Sequence, residues 1–82
     1  MAEPYQPISC VDHDRLELAA LRRRPLLVTY VDAGGEKRRE KLWPHDVYAR
    51  AGAEWLVAES ASGSLTLRLD RIEAIVDSGN DD

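Results

Sequence analysis

The hydrophobic period of the sequence changes at Pro25, and this change limits the folds that the chain can adopt. From residue 12 to about residue 23 the side chains are good helix formers, and Pro25 ends the predicted helix. Beyond Pro25 apolar and polar residues alternate with a period of two, as they do in strands. Turn residues divide this part into five short predicted strands, at residues 26–31, 36–43, 53–60, 64–69 and 72–76.

These elements predict a mainly β fold with one N-terminal α-helix. An open sheet of this size would leave its edges and one apolar face exposed, so we expect a strongly bent five-stranded sheet or a small barrel. A chain of 82 residues has room for one domain. We assign residues 1–76 to that domain, with an extended segment at residues 3–8 before the helix, and residues 77–82 to a disordered acidic tail.

Acidic residues mark the start of the predicted helix. Asp12 or Asp14 is expected as its N-cap, and with Asp14 as the cap Glu17 would complete a capping box. This is the commoner reason for acids in a first helical turn, because they also suit the helix dipole. A second use is binding of a cationic partner, and for that use Asp14 and Glu17 are better placed than Asp12.

The apolar residues of the same helix fall on two sides. At about 100° per residue, one side contains Leu16, Ala19 and Ala20, and the nearly opposite side contains Leu18 and Leu21. One side is expected to pack on the body of the domain. The other side is expected to pack on the N-terminal segment or on a partner.

The charge balance and the single cysteine exclude several classes of protein. With 11 basic and 15 acidic residues the net charge is −4, which argues against a protein that covers nucleic acid through excess Lys and Arg. No apolar run reaches 18 residues and the N-terminus has no signal-like pattern, so we expect neither a membrane span nor a secretory signal. Cys10 is the single cysteine and cannot form a disulfide within the chain, which fits a reducing compartment. We expect its small side chain to be buried in the core.

The net charge conceals an uneven distribution along the chain. Residues 1–21 carry four acidic residues and one basic residue, whereas residues 22–50 carry eight basic and four acidic residues. Residues 51–82 are again acidic, with seven acidic and two basic residues. A partner would therefore meet acidic and basic surfaces on one small domain.

Four stretches of the sequence resemble the Rho-binding antiterminator (Rof) family. They are Tyr-Gln-Pro-Ile-Ser-Cys at residues 5–10, Asp-His-Asp-Arg-Leu-Glu-Leu-Ala at residues 12–19, Glu-Trp-Leu-Val at residues 54–57, and Leu-Arg-Leu-Asp-Arg-Ile at residues 67–72. The resemblance extends over about residues 5–76. The first two stretches together are more specific than any single short motif.

The resemblance implies an Sm-like barrel behind an N-terminal helix, in a bacterial cytoplasmic protein that is not an enzyme. It also implies binding to the N-terminal, RNA-binding domain of transcription termination factor Rho. There the protein would block the primary RNA-binding sites and cause antitermination. No cofactor, metal or small-molecule substrate is implied.

The resemblance also assigns contact residues for Rho. They are the helix acids Asp14 and Glu17, with Asp12 and His13 beside them, and the turn that begins at Arg50. Two positions differ from the family pattern, which has a phenol in place of His13 and a longer polar side chain in place of Ala51-Gly52.

Three other functions fit the sequence less well. An Sm-like RNA-binding module would use the basic region from Arg22 to Arg50, although a charged, solvated strand edge is the commoner reason for such a pattern. His13 and His45 have no ligands at metal-site spacing, so no metal site is predicted. A hydrolase using Cys10 and His13 lacks a complete catalytic arrangement. Trp43 lies in a predicted strand and is expected in the core or at a barrel rim.

Overall fold

The computed structural model describes residues 7–77 and contains one helix followed by five strands. A single-turn 3-10 helix, Leu69–Arg71, separates the last two strands. The elements are α1 (Cys10–Arg22), β1 (Leu26–Val31), β2 (Lys37–Arg50), β3 (Ala53–Ser60), β4 (Gly63–Arg68) and β5 (Ile72–Asp77). No helix in residues 7–77 is long and apolar enough to cross a membrane.

The N-cap of α1 is Ser9, so the predicted cap at Asp12 or Asp14 is wrong. The Ser9 hydroxyl oxygen accepts a hydrogen bond of 3.1 Å from the backbone N–H of Asp12. Because a serine hydroxyl satisfies a free N–H as well as a carboxylate does, the helix begins at Cys10 and Asp14 falls inside it. The acidic side chains are therefore released from capping, and the predicted capping box with Glu17 does not form. Cys10 itself is exposed, contrary to the expected burial.

Strand β2 continues to Arg50, so the predicted end of this strand at residue 43 is wrong. Its residues 37–42 pair with β1, and its residues 43–50 pair with β3. The register shifts between Pro44 and Asp46, so His45 is the extra residue of a β-bulge. The bulge explains why the strand tolerates a proline, because Pro44 has no N–H to give to a regular ladder.

The sheet is antiparallel, with the strand order β4-β3-β2-β1-β5. This confirms the mainly β fold with one N-terminal helix. The sheet is bent but not closed, since β4 and β5 are its two edges within the described residues. The Sm-like character implied by the family resemblance stays a prediction.

The core lies between α1 and the sheet. Helix α1 packs mainly on β2 and contributes Leu16 and Ala19. The opposite side of the helix is open, with Leu18 and Leu21 exposed, so the prediction that one apolar side packs on the body of the domain is confirmed. That the other side packs on the N-terminal segment or on a partner stays a prediction. The side chains with no exposed surface are Leu16, Val28, Leu42, Leu56 and Leu69.

The two predicted terminal segments lie largely outside the described residues. Of the extended segment at residues 3–8, the structure describes Pro7 and Ile8, and Ile8 packs against the core. Of the predicted tail, the structure describes Asp77, which is the last residue of β5 and pairs with Leu26. The assignment of residues 78–82 to a tail stays a prediction.

Candidate protein-binding surface

Asp14 and Glu17 lie on the open part of α1. Both are exposed, and the Glu17 side chain keeps 55% of its surface accessible. They are three residues apart, which places them on neighbouring positions of one side of the helix. On its other side, helix α1 packs on the core through Leu16, which is fully buried. The two carboxylates are thus presented to solvent from a helix that packs on the sheet.

His13 connects this helix to the sheet. Its Nδ1 lies 3.7 Å from Oε1 of Glu17, one helical turn away, and its Nε2 lies 3.4 Å from Oε2 of Glu54. The His13 side chain is 24% exposed, so most of its ring surface is covered by the rest of the chain. Both ring nitrogens face carboxylates. A general base for the exposed Cys10 would instead direct one ring nitrogen at the thiol.

Glu54 is a residue that the sequence did not indicate as part of this surface. It follows the two-residue turn between β2 and β3, and its contact with His13 places that turn beside the N-terminal half of α1. The only signal in the sequence was its position next to the turn. A contact between residues so far apart in the chain depends on how the helix packs on the sheet.

The turn itself has an unusual backbone. Ala51 has φ 54° and Gly52 has φ 78°, between the paired residues Arg50 and Ala53. Positive φ at both central residues is typical of a tight hairpin turn, and it is costly for alanine. The Arg50 side chain is exposed, and its carbonyl accepts a hydrogen bond of 3.3 Å from the indole N–H of Trp55. This bond fixes the turn on which Arg50 is displayed.

Asp12 differs from the other predicted contact residues. It is half-buried, lies in the first turn of α1, and gives its backbone N–H to Ser9. A carboxylate at this position suits the positive end of the helix dipole. The structure thus gives Asp12 a role in the helix terminus, and its contact with a partner stays a prediction.

Three of these side chains also form a possible ligand set for a cation. His13, Asp14 and Glu17 each offer one ligand atom, and these atoms lie within 4.8 Å of one another. The sequence predicted no metal site here. Because two of the three groups are exposed carboxylates, which are equally suited to Lys or Arg of a protein, we assign no metal to them.

Four of the eight charges of the basic region lie along the first half of β2, and two of these four are paired with carboxylates of the chain. Lys37 Nζ lies 3.0 Å from Oε1 of Glu73, and Arg38 donates a hydrogen bond of 2.7 Å to Asp32. This hydrogen bond is the main reason why the pKa of Asp32 is below its ordinary value. Charges already paired in this way are less available to RNA phosphates.

Comparisons with known proteins identify relatives of the chain. Residues 12–76 match the sequence family of the WYL domain. Protein rof of Escherichia coli (strain K12) is 42% identical over 72 residues, which cover 88% of this chain and 81% of the relative, and the same values hold for protein rof of Shigella flexneri.

A solved structure shares the fold. Proteasome accessory factor B/C (PafBC) of Arthrobacter aurescens superposes with a TM-score of 0.77 at 21% identity, over 92% of this chain. The chain spans only 13% of the PafBC chain. At this level of identity the likeness shows a common fold.

Proposed function

Because the chain belongs to the Rof family and its residues 12–76 form a WYL domain, we propose that it is a regulator of transcription termination that binds the termination factor Rho. The family membership confirms the resemblance seen in the sequence. In this proposal the chain is a cytoplasmic binding protein that catalyses no reaction. It occupies the N-terminal, RNA-binding domain of Rho, so that RNA cannot reach the primary sites and termination fails.

The exposed carboxylates of Asp14 and Glu17 on α1 are the observation that supports this proposal most. The helix is anchored by the buried Leu16 and by the contact between His13 and Glu54. A rigid helix presents its charges without a large loss of side-chain and backbone entropy on binding. The acidic surface is thus preorganised for a cationic partner.

A site that normally binds RNA has the complementary chemistry. It offers Lys and Arg to phosphates and aromatic rings to bases. Carboxylates can pair with the same cations, and each charge-assisted hydrogen bond contributes about 1.5 to 3 kcal/mol. Two such contacts, from Asp14 and Glu17, would compete with phosphates for the site. Arg50 and the turn beside it would contact the rim of the same site.

Charge reversal tests the assignment of these two residues. We expect the double variant Asp14→Lys/Glu17→Lys to bind purified Rho at least about 100-fold more weakly, since two attractive contacts become repulsive. The matched control is Glu36→Lys/Glu73→Lys, which makes the same change of charge at exposed positions of the β1–β2 turn and β5. It also breaks the exposed ion pair of Glu73 with Lys37, a loss that should cost little stability. Calorimetric titration measures both, and circular dichroism checks the fold.

Two results would contradict the proposal. Equal affinities of the double variant and its control would remove Asp14 and Glu17 from the interface. Absence of binding by the wild-type chain would remove Rho as its partner. In that case retardation of single-stranded RNA at low salt, lost when Lys37, Arg38 and Arg39 are neutralised, would support the RNA-binding alternative.

A further inference from the structure

A groove continues from the acidic side of α1 toward the bend of the sheet. It lies between the C-terminal half of α1, the bulge of β2 and the end of β3, and has a volume of about 1160 Å³. Leu21 and Trp43 contribute large apolar side chains to its lining, and Glu17, Asp46 and Glu59 contribute carboxylates. Glu17 therefore belongs both to the proposed Rho contact and to this groove.

The apolar part of the groove is unusually open. Leu21 is 80% exposed and Trp43 is 38% exposed, although both are large hydrophobic residues. Lys41 Nζ lies 5.5 Å from the centre of the Trp43 ring, so the indole face already attracts a cation. Exposed aromatic and aliphatic side chains next to charged groups are typical of protein-binding surfaces.

The charge of the groove is acidic. Asp46 and Glu59 are exposed, and within residues 7–77 neither lies at ion-pair distance from Lys or Arg. The nearest charged contact of Glu59 is with His45, whose Nε2 is 4.0 Å from its Oε2. Arg23 is the basic side chain in the lining and Lys41 lies over Trp43, against the three carboxylates of the lining. The surplus of negative charge favours a basic ligand and disfavours RNA, whose phosphates would be repelled.

The bulge in β2 is what brings these groups together. An extra residue bends a strand and redirects the side chains beside it. Here it occurs between Pro44 and Asp46, next to Trp43 in the same strand. The strand irregularity therefore forms one wall of the groove.

We propose that this groove binds an extended basic segment of the same partner that contacts Asp14 and Glu17. Lys or Arg side chains of the segment would pair with Asp46 and Glu59. An apolar side chain of the segment would lie between Leu21 and Trp43. This inference rests on the proposed function, because continuity through Glu17 makes the groove an extension of that contact surface.

Two pairs of variants test the groove with purified Rho as the probe. The first pair is Asp46→Lys/Glu59→Lys and its control Glu36→Lys/Glu73→Lys. The second pair is Leu21→Ser and its control Val76→Ser, since Val76 is an exposed apolar residue of β5. We expect each groove variant to bind about 10-fold more weakly than its control, and the charge variant to show a weaker dependence on salt.

The possible results separate the groove from the proposed function. If Asp14→Lys/Glu17→Lys loses binding and both groove variants match their controls, the proposed role of the groove is wrong and the proposed Rho contact stands. If wild-type protein does not bind Rho, both are wrong. Concentration-dependent self-association in sedimentation experiments, lost in the groove variants, would assign the groove to a second copy of the chain and overturn the proposal.

Discussion

The imidazole Nε2 of His13 lies 3.4 Å from Oε2 of Glu54 and connects α1 to the first residues of β3. The other ring nitrogen lies 3.7 Å from Glu17, so one side chain links a proposed contact residue to the sheet. The contact lies where the N-terminal half of the helix meets the β2–β3 turn. Stability and binding are thereby connected through His13.

Replacing His13 should weaken the attachment of the helix. We expect His13→Ala to lower the free energy of unfolding by about 1 kcal/mol, because two contacts of a half-buried ring with carboxylates are lost. The control is His45→Ala, whose ring lies 4.0 Å from Glu59 on the surface and whose loss should have little effect. Urea denaturation measures both, and equal stabilities would show that the contact with Glu54 is not stabilising.

The two apolar sides of α1 should respond differently to truncation. Leu16→Ala removes a side chain with no exposed surface, and we expect a loss of about 2 to 5 kcal/mol. Leu21→Ala removes one that is 80% exposed, and we expect a change within about 0.5 kcal/mol. Denaturant titrations of both variants test this difference. A loss of stability in Leu21→Ala comparable to that in Leu16→Ala would place Leu21 in the core.

The turn between β2 and β3 should be sensitive to a side chain at Gly52. Its φ of 78° lies in the left-handed region, so Gly52→Ala should cost about 1 to 2 kcal/mol. Gly34→Ala is the control, because an added Cβ there meets only Asp32 Oδ1 at an ordinary distance of 3.5 Å. Thermal unfolding of both variants measures the cost. A larger loss for Gly34→Ala would contradict the assigned turn.

The hydrogen bonds to Asp32 predict a dependence of stability on acid. Arg38 first, and then the backbone N–H groups of Glu36 and Gly34, hold the pKa of Asp32 below its ordinary value of 3.8. Because the pKa is lower in the folded chain, the stabilisation is present above pH 3.8 and is lost as the pH falls through the lowered folded pKa.

The variant Asp32→Asn tests this assignment. It keeps an oxygen for the backbone N–H groups and removes the charge that pairs with Arg38. Wild type should be more stable than the variant at neutral pH, and the difference should shrink in acid. The measurement is the free energy of unfolding as a function of pH, and a difference that does not vary with pH would contradict the prediction.

The period of the apolar residues predicted most of the fold. The bounds of β1 and β3 agree with the structure, and the buried and open sides of the helix follow from the positions of Leu16 and Leu21. Periodicity succeeds there because burial against one core determines which residues alternate. It does not show whether a sheet closes, which depends on pairing between strands far apart in sequence.

Local competition and tertiary contacts explain what the sequence did not predict. At the start of α1, Ser9 and the two acids are all good caps, and the choice of Ser9 leaves Asp14 inside the helix. The continuation of β2 through Pro44 depends on a bulge that pairing with β3 creates. The proximity of His13 and Glu54 depends on the packing of the helix on the sheet, so the exposure of Asp14 was predictable and the contact of Glu54 with His13 was not.

The continuous strand β2 has a consequence for how the domain unfolds. It pairs with β1 through its first half and with β3 through its second half, and α1 packs mainly on it. If either half of the sheet unfolds and β2 unfolds with it, the other half of the sheet and the helix both lose the strand on which they pack. The domain should lose its structure in one cooperative, all-or-none transition, with the same midpoint whether helix or sheet is observed.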